Sequence, residues 1–123
     1  MISIVIPTYN NLDYLKLCLD SIEKNSSQNH DVRLHINDGS DGTLEFAKKN
    51  KIFYTFSNNN IGLCSSINKI SSTVKNKYLL YAHDDMYFCP NWDNILLNEL
   101  KIIKHNLFYL SGTMIEKNSA HIS

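Results

Sequence analysis

Ile2, Ile4, Val5 and Ile6 form a run that stops at Pro7. It is too short for a helix and apolar on both faces, as a central parallel strand is. Leu12, Leu15, Leu19 and Ile22 recur at steps of three, four and three. That spacing predicts an amphipathic helix ending near Asn25, with Asn10 or Asn11 available as N-cap. Val32, Leu34 and Ile36 alternate with Arg33 and His35, a second strand running into the turn-rich stretch NDGSDGT. A helix from about Thr43 to Asn50 follows, then a β-branched and aromatic third strand from Ile52 to Phe56. Leu63, Ile67, Ile70 and Val74 again keep helical spacing, and Tyr78 to Ala82 reads as a fourth strand ending against His83, Asp84 and Asp85. Pro90 lies near the start of a last helix carrying Ile95, Leu96, Leu100 and Ile103, and Leu107 to Leu110 reads as a fifth strand.

Strands alternating with helices predict an α/β, doubly wound, mostly parallel sheet with helices on both faces, a three-layer Rossmann-like arrangement. A chain of 123 residues fits one domain, 1–123, burying about 68% of its unfolded surface. Twelve basic against twelve acidic side chains leave no net field for a phosphate backbone or for anionic lipid, so a basic nucleic-acid binder is disfavoured. Cys18, Cys64 and Cys89 are an odd number without a C-x-x-C pair, which encodes neither a disulfide framework nor a zinc ribbon and points to a reducing compartment. The N-terminus has no basic leader, and no window approaches the roughly 18 apolar residues of a spanning helix, so neither export nor a transmembrane segment is expected.

Ligands of open α/β sheets bind beyond the carboxyl ends of the strands, where strand order reverses. Three loops there are unusual: Pro7-Thr8-Tyr9-Asn10, Asn37 to Gly42, and His83-Asp84-Asp85. Neither G-x-G-x-x-G nor G-x-x-x-x-G-K-[ST] follows a predicted strand, which disfavours a dinucleotide fold or a P-loop. A receiver domain would need an acidic pair after the first strand and an Asp after the third, where this chain has Pro7-Thr8-Tyr9 and Ser57-Asn58. Asp84 and Asp85 repel each other unless one is protonated or a cation lies between them, and oxygen ligands favour Mg²⁺ or Mn²⁺; the bland alternative is a solvated turn. Asp38 before Gly39 suits either close approach to a flat polar ligand or a helix-capping turn with Asp41 or Gly42. Tyr9 suits either stacking on a base or covering the core. His83 and Cys89 lack zinc spacing, and His30, His35, His105 and His121 are expected to face solvent. Cys18 and Cys64 read as core or near-core residues, and Lys48, Lys49 and Lys51 as cations suited to a helix C-terminus.

Taken together, SIVIPTYNNLDYLKLCLDSI, INDGSDGT, NNNIGLCSSINKI and YLLYAHDDMYFCPNW resemble the nucleotide-sugar-binding half of family 2 glycosyltransferases, which have the GT-A fold. The resemblance runs through essentially the whole chain but covers only the N-terminal part of the family's catalytic domain, so it implies a truncated enzyme. It implies that Pro7, Thr8, Tyr9 and Asn10 lie against nucleobase and ribose, that Asp38 reads the base edge, usually uracil, and that Asn60, Gly62 and Asn68 belong to the donor site. Asp84 and Asp85 match the end of the D-x-D region, where Asp84 meets the ribose and both acids meet the Mg²⁺ or Mn²⁺ that bridges the diphosphate. The implied activity is metal-dependent transfer, with inversion, from a nucleoside-diphosphate sugar, a UDP-sugar by preference, to a glycan, lipid or protein acceptor. The implied location is cytoplasmic, including the cytoplasmic face of a membrane.

The departures are specific. Ala82 stands where the first D-x-D carboxylate often stands, and Ile67 where a phosphate-facing Arg often stands. The general base of inverting relatives comes from the C-terminal half and is expected beyond Ser123. The alternative reading is a non-catalytic nucleotide-sugar-binding module, and Trp92 is expected to pack rather than to stack on sugar.

Overall fold

The computed structural model describes residues 1–103, 109–116 and 119–122. Strands β1 (Ile2–Tyr9), β2 (Asp31–Asn37), β3 (Phe53–Ser57) and β4 (Tyr78–Tyr81) form one sheet, all neighbours parallel, in the order β3-β2-β1-β4. They alternate with helices α1 (Leu12–Asn25), α2 (Thr43–Lys49), α3 (Leu63–Ser71) and α4 (Trp92–Ile102). The expected α/β, mostly parallel architecture is the one observed.

Period-two alternation sorts the sheet into faces. Ile2, Ile4 and Ile6 of β1 and Leu34 and Ile36 of β2 bury themselves against Leu15, Cys18 and Ile22 of α1 and Ala47 of α2. The other face is covered by α3, which packs on β1, β2 and β3. That cover changes the reading of β2, because Arg33, His35 and Asn37 point under a helix rather than into solvent. His35 is fully buried, contrary to expectation.

The first strand does not stop at Pro7 but continues through it to Tyr9. Val5 accepts a hydrogen bond from the Ala82 amide on the β4 side, and Pro7 shares its parity. The missing Pro7 donor therefore faces the side where β4 has already ended, and no ladder bond is lost. Helix α3 stops at Ser71, three residues before Val74. There the Ser72 and Thr73 hydroxyls donate to the carbonyls of Lys69 and Ile70, and Arg33 Nη1 donates to the Thr73 carbonyl at 2.8 Å.

Of the expected fifth strand, Leu107 and Phe108 lie outside the described residues, and Tyr109 and Leu110 are not in a strand. An antiparallel hairpin, β5 (Thr113–Glu116) with β6 (Ser119–Ile122), follows instead.

Residues 86–93 run back along α1 as a strap. Ser21 Oγ accepts from the Phe88 amide, Asn25 Nδ2 donates to the Phe88 carbonyl at 2.7 Å, and Trp92 Nε1 donates to Ser26 Oγ at 3.0 Å. Trp92 packs edge-on against Phe88, so it is a packing residue as expected. The strap ends at Asp93, whose carboxylate accepts from the Ser27 amide and hydroxyl and the Gln28 amide, and lies 2.9 Å from His30 Nε2. The Ile2 amide, which can only donate, points at His30 Nδ1 across 3.2 Å. Nδ1 is thus the acceptor and Nε2–H faces the carboxylate. Both side chains are fully buried, which corrects the solvent-facing expectation for His30. His105 and the side chain of His121 lie outside the described residues.

Candidate functional site

Strand order rises from β1 to β3 on one side of β1 and jumps to β4 on the other, so the sheet reverses between β1 and β4. The loops beyond these carboxyl ends form a crown. Thr8, buried on the α1 face of β1, donates through Oγ1 to Asp84 Oδ2 at 2.8 Å. Asn11 Nδ2 donates to the other oxygen, Oδ1, at 3.2 Å. Asp84 is held by both oxygens, and each keeps a lone pair for another partner. Asp85 is exposed and accepts no hydrogen bond from a described residue.

The crown is electrostatically one-sided. Residues 7–13, 37–43, 57–63 and 82–85 contain Asp13, Asp38, Asp41, Asp84 and Asp85 but neither Lys nor Arg. Its field reaches neighbouring groups. Burial first, then the charges of Asp84 and Asp85, push the Cys18 thiol up to about 12, and its sulfur rests 3.7 Å from the His83 carbonyl. Cys18 is therefore a core thiol, as expected, whereas Cys64 is exposed rather than near-core. Burial, with Asp84, Cys64, Asp85 and Tyr109 adding to it, also raises Tyr81, whose hydroxyl lies 3.1 Å from the His83 ring nitrogens.

A second group forms at the end of β2. Asn10 and Asp38 both take left-handed backbone angles, φ 45 and 63. Asn10 Nδ2 donates to Asp38 Oδ2 at 3.2 Å and approaches Ser40 Oγ at 3.4 Å, while its Oδ1 is buried without a partner among the described residues. Gly39, at φ 75, could not carry a side chain, since a Cβ would meet Ile36 Cγ2 at 2.8 Å. Asp41 serves two helices at once, accepting from the Leu12 amide of α1 at 3.0 Å and from the Thr43 amide of α2 at 3.1 Å. Burial would raise its pKa, but the Thr43 hydroxyl and amide and the Leu12 amide outweigh that and lower it. The capping alternative raised for this loop is thus met by Asp41, which leaves Asp38 uncommitted to a helix.

Beneath the crown a buried polar network fixes the loops. Asn37 Nδ2 donates to the Thr8 carbonyl at 3.3 Å and to Ser66 Oγ at 3.0 Å, and its Oδ1 accepts from Ser57 Oγ and the Ile61 amide. One side chain ties together the ends of β1, β2 and β3 and the start of α3. His35 extends the network, with Nδ1 2.7 Å from Thr55 Oγ1 and Nε2 3.1 Å from Ser57 Oγ. Burial first, then Lys69, lowers its pKa, only partly offset by Asn37, which favours the neutral imidazole.

The sequence-predicted residues thus separate into groups. Thr8 and Asp84 meet directly, and Asn10 and Asp38 meet directly. Pro7 is buried in β1, and Tyr9 is half exposed at the rim. Gly62, with φ 86, starts α3 and gives its amide to Asn60 Oδ1 at 3.0 Å. Asn68 is exposed on α3 and joins neither group. Ala82 is 1% exposed in the core cluster, so a carboxylate there would be buried among apolar groups. Sequence reasoning named Asn11 only as an N-cap, His35 only as solvent-facing and Asn37 only as part of a loop, and missed the roles they have here; a polar residue placed among strand apolars, as Asn37 is after Ile36, was the available signal. No trio of His, Cys, Asp or Glu with metal-ligand geometry occurs among the described residues. Asp85 with Asp84 is an oxygen pair suited to a hard divalent ion that takes its other ligands from phosphate and water.

The crown lies over the reversal point of the parallel sheet, the place where open α/β sheets bind their ligands. The chain belongs to Glycosyl transferase family 2, whose profile matches residues 3–122. An uncharacterized glycosyltransferase of Rickettsia bellii (strain RML369-C) is 31% identical over 126 residues, 96% of this chain and 18% of that protein. One of Rickettsia prowazekii (strain Madrid E) is 30% identical over 125 residues, 97% of this chain and 38% of that protein. The chain therefore spans well under half the length of these relatives. The fold is GT-A. S. aureus TarS 1-349 in complex with UDP superposes with a TM-score of 0.70 at 21% identity, over 82% of this chain and 32% of that one. The mannosyltransferase PcManGT from Pyrobaculum calidifontis, in complex with GDP-Man and Mn²⁺, does so at 0.63 and 16% identity, over 76% of this chain and 30% of that one.

Proposed function

We propose that residues 1–123 are the donor-binding portion of a longer glycosyltransferase, which takes a nucleoside-diphosphate sugar, UDP-linked by preference, with Mg²⁺ or Mn²⁺. The observation that carries this is the Asp84 carboxylate fixed by Thr8 and Asn11 beside the unpartnered Asp85, in a crown without Lys or Arg. A diphosphate brought to such a crown meets only like charge unless a divalent cation comes with it. Asp85, with Asp84, would hold that ion. When bound, the ion supplies charge stabilisation for the diphosphate as the sugar leaves.

The chain's own residues do the rest. Asp38, with one oxygen held by Asn10, offers the other as acceptor for a base N–H, which suits uracil. Tyr9, 51% exposed at the rim, offers a ring face to the base. Pro7, Thr8 and Asn10 shape the wall beside base and ribose, with Gly62 and Asn68 contributed from α3. The TarS complexes with UDP and UDP-GlcNAc support the preference for UDP, and the Mn²⁺ in the PcManGT complex supports the metal. Inversion needs a base from outside these residues, and the acceptor is a glycan, lipid or protein met there. Three free cysteines suit a cytoplasmic location.

A second reading, a non-catalytic nucleotide-sugar-binding module, is favoured by Ile67 and the buried Ala82, which deprive the crown of an arginine and a third carboxylate. Calorimetric titration with UDP, GDP and dTDP, with and without Mn²⁺, tests the binding claim common to both. UDP binding that requires Mn²⁺ and is lost in Asp85→Ala and Asp38→Ala is expected. Metal-independent binding, or none by the folded chain, would overturn it. Release of sugar from the donor by the full-length protein, with acceptor present, separates enzyme from module.

A further inference from the structure

Parallel strands joined by antiparallel crossover helices place every strand start at the end of the molecule opposite the crown. Charge is sorted along that axis. The crown loops and the first turn of α1 hold five aspartates and no lysine, whereas Lys48 and Lys49 close α2, Lys51 stands before β3, and Lys75 and Lys77 stand before β4. All five lysines are exposed, and none is in an ion pair with a described residue. Of the acids at this end, Asp31 is paired with Arg33 at 2.8 Å, Asp93 is buried against His30 at 2.9 Å, and Glu23 is exposed, as is Lys24. The α2 dipole, roughly half a charge, compensates only part of Lys48 and Lys49.

Apolar groups are exposed at the same end. Met1 is 63% and Phe53 46% exposed, and Lys77 lies 5.3 Å from the ring centre of Tyr78. Cations beside aromatic rings suit the headgroup boundary of a bilayer, where charge meets lipid phosphate and rings enter the interface. A nucleic acid would use the lysines but give Met1 and Phe53 no apolar phase.

We propose that this lysine-rich end docks on an anionic lipid bilayer. A lysine near such a surface contributes about 5-fold in affinity, so these five support reversible peripheral binding without a spanning segment. No helix among the described residues is long and apolar enough to span. Docked this way, the crown faces water, and β1, eight residues long, sets it about 25 Å from the lipid. An acceptor then reaches the crown from the aqueous side.

Co-sedimentation with phosphatidylcholine vesicles, with and without roughly a third phosphatidylglycerol, tests the docking at about 0.1 M salt. Binding only to anionic vesicles, released at about 0.5 M salt, is expected. Lys51→Gln, Lys75→Gln and Lys77→Gln together are expected to weaken it roughly 100-fold while leaving the circular dichroism spectrum and UDP–Mn²⁺ titration of wild type. Equal binding to neutral vesicles, no binding to anionic ones, an unchanged triple variant, or tighter binding to a duplex RNA than to anionic vesicles would each overturn it.

Discussion

Thr8 and Asp84, 76 positions apart in the chain, are joined by a 2.8 Å hydrogen bond that bridges the ends of β1 and β4 where strand order reverses. Because the acceptor is a carboxylate, the bond is of the stronger kind, about 1.5–3 kcal/mol. Thr8→Val keeps the shape and removes the donor. It is expected to weaken Mn²⁺-dependent UDP binding about 10-fold, read by calorimetry, and to lower stability by about 1–2 kcal/mol. Unchanged UDP affinity would show that Asp84 needs no such anchor.

The Asn37 amide, 3% exposed, makes four hydrogen bonds. Asn37→Leu leaves the Ile61 amide and the Thr8 carbonyl without it and is expected to cost about 2–4 kcal/mol in urea unfolding. A loss below about 1 kcal/mol would mean that the loops reorganise around water instead.

Burial raises the Asp93 pKa, but hydrogen bonds from His30, Ser27 and Gln28 prevail and bring it from 3.8 to about 2. A carboxylate depressed on folding stabilises fully above its unfolded pKa, so this contribution, about 2 kcal/mol, is complete above pH 4 and fades as pH falls toward 2. The stability gap between wild type and Asp93→Asn should narrow over that window. A gap that stays constant would remove the charge from the explanation.

His35 titrates in the opposite chemical sense with the same direction of effect. Its pKa is lowered from 6.5 by burial and then Lys69, so the unfolded chain binds the proton more readily. Stability is therefore complete above pH 6.5 and falls as pH drops below it. Thermal melts of wild type and His35→Gln between pH 7.5 and 5 should show a steeper decline for wild type, and parallel curves would count against a buried neutral imidazole.

Thiol accessibility gives an independent check of the packing. Cys64 and Cys89 are exposed, while Cys18 is buried with its pKa near 12. A thiol reagent at pH 8 should titrate two groups in the native protein and the third only after denaturation. Rapid reaction of all three would contradict the packing of α1 on the sheet.

Most of the regular structure was legible because helix and strand periodicities are local. Leu12, Leu15, Leu19 and Ile22 place α1 from its first residue, and the alternation of Val32, Leu34 and Ile36 places β2 within a residue at each end. The hairpin of β5 and β6 went unread, and β1 was cut short at Pro7, because whether a proline breaks a strand depends on which neighbour its nitrogen faces. Of the candidate site, the loops and their acids were legible as residue types after strands. Their partners were not.

The sequence by itself determined the class of fold and which loops carry carboxylates, since both follow from spacing within a few residues. Only the tertiary structure decided that Thr8 and Asn11 hold Asp84, that Asn37 and His35 lie under α3, and that His30 is buried against Asp93. Those pairings span 22 to 76 positions and exist only once strand order is set, because a hydrogen bond depends on distances that no local pattern records.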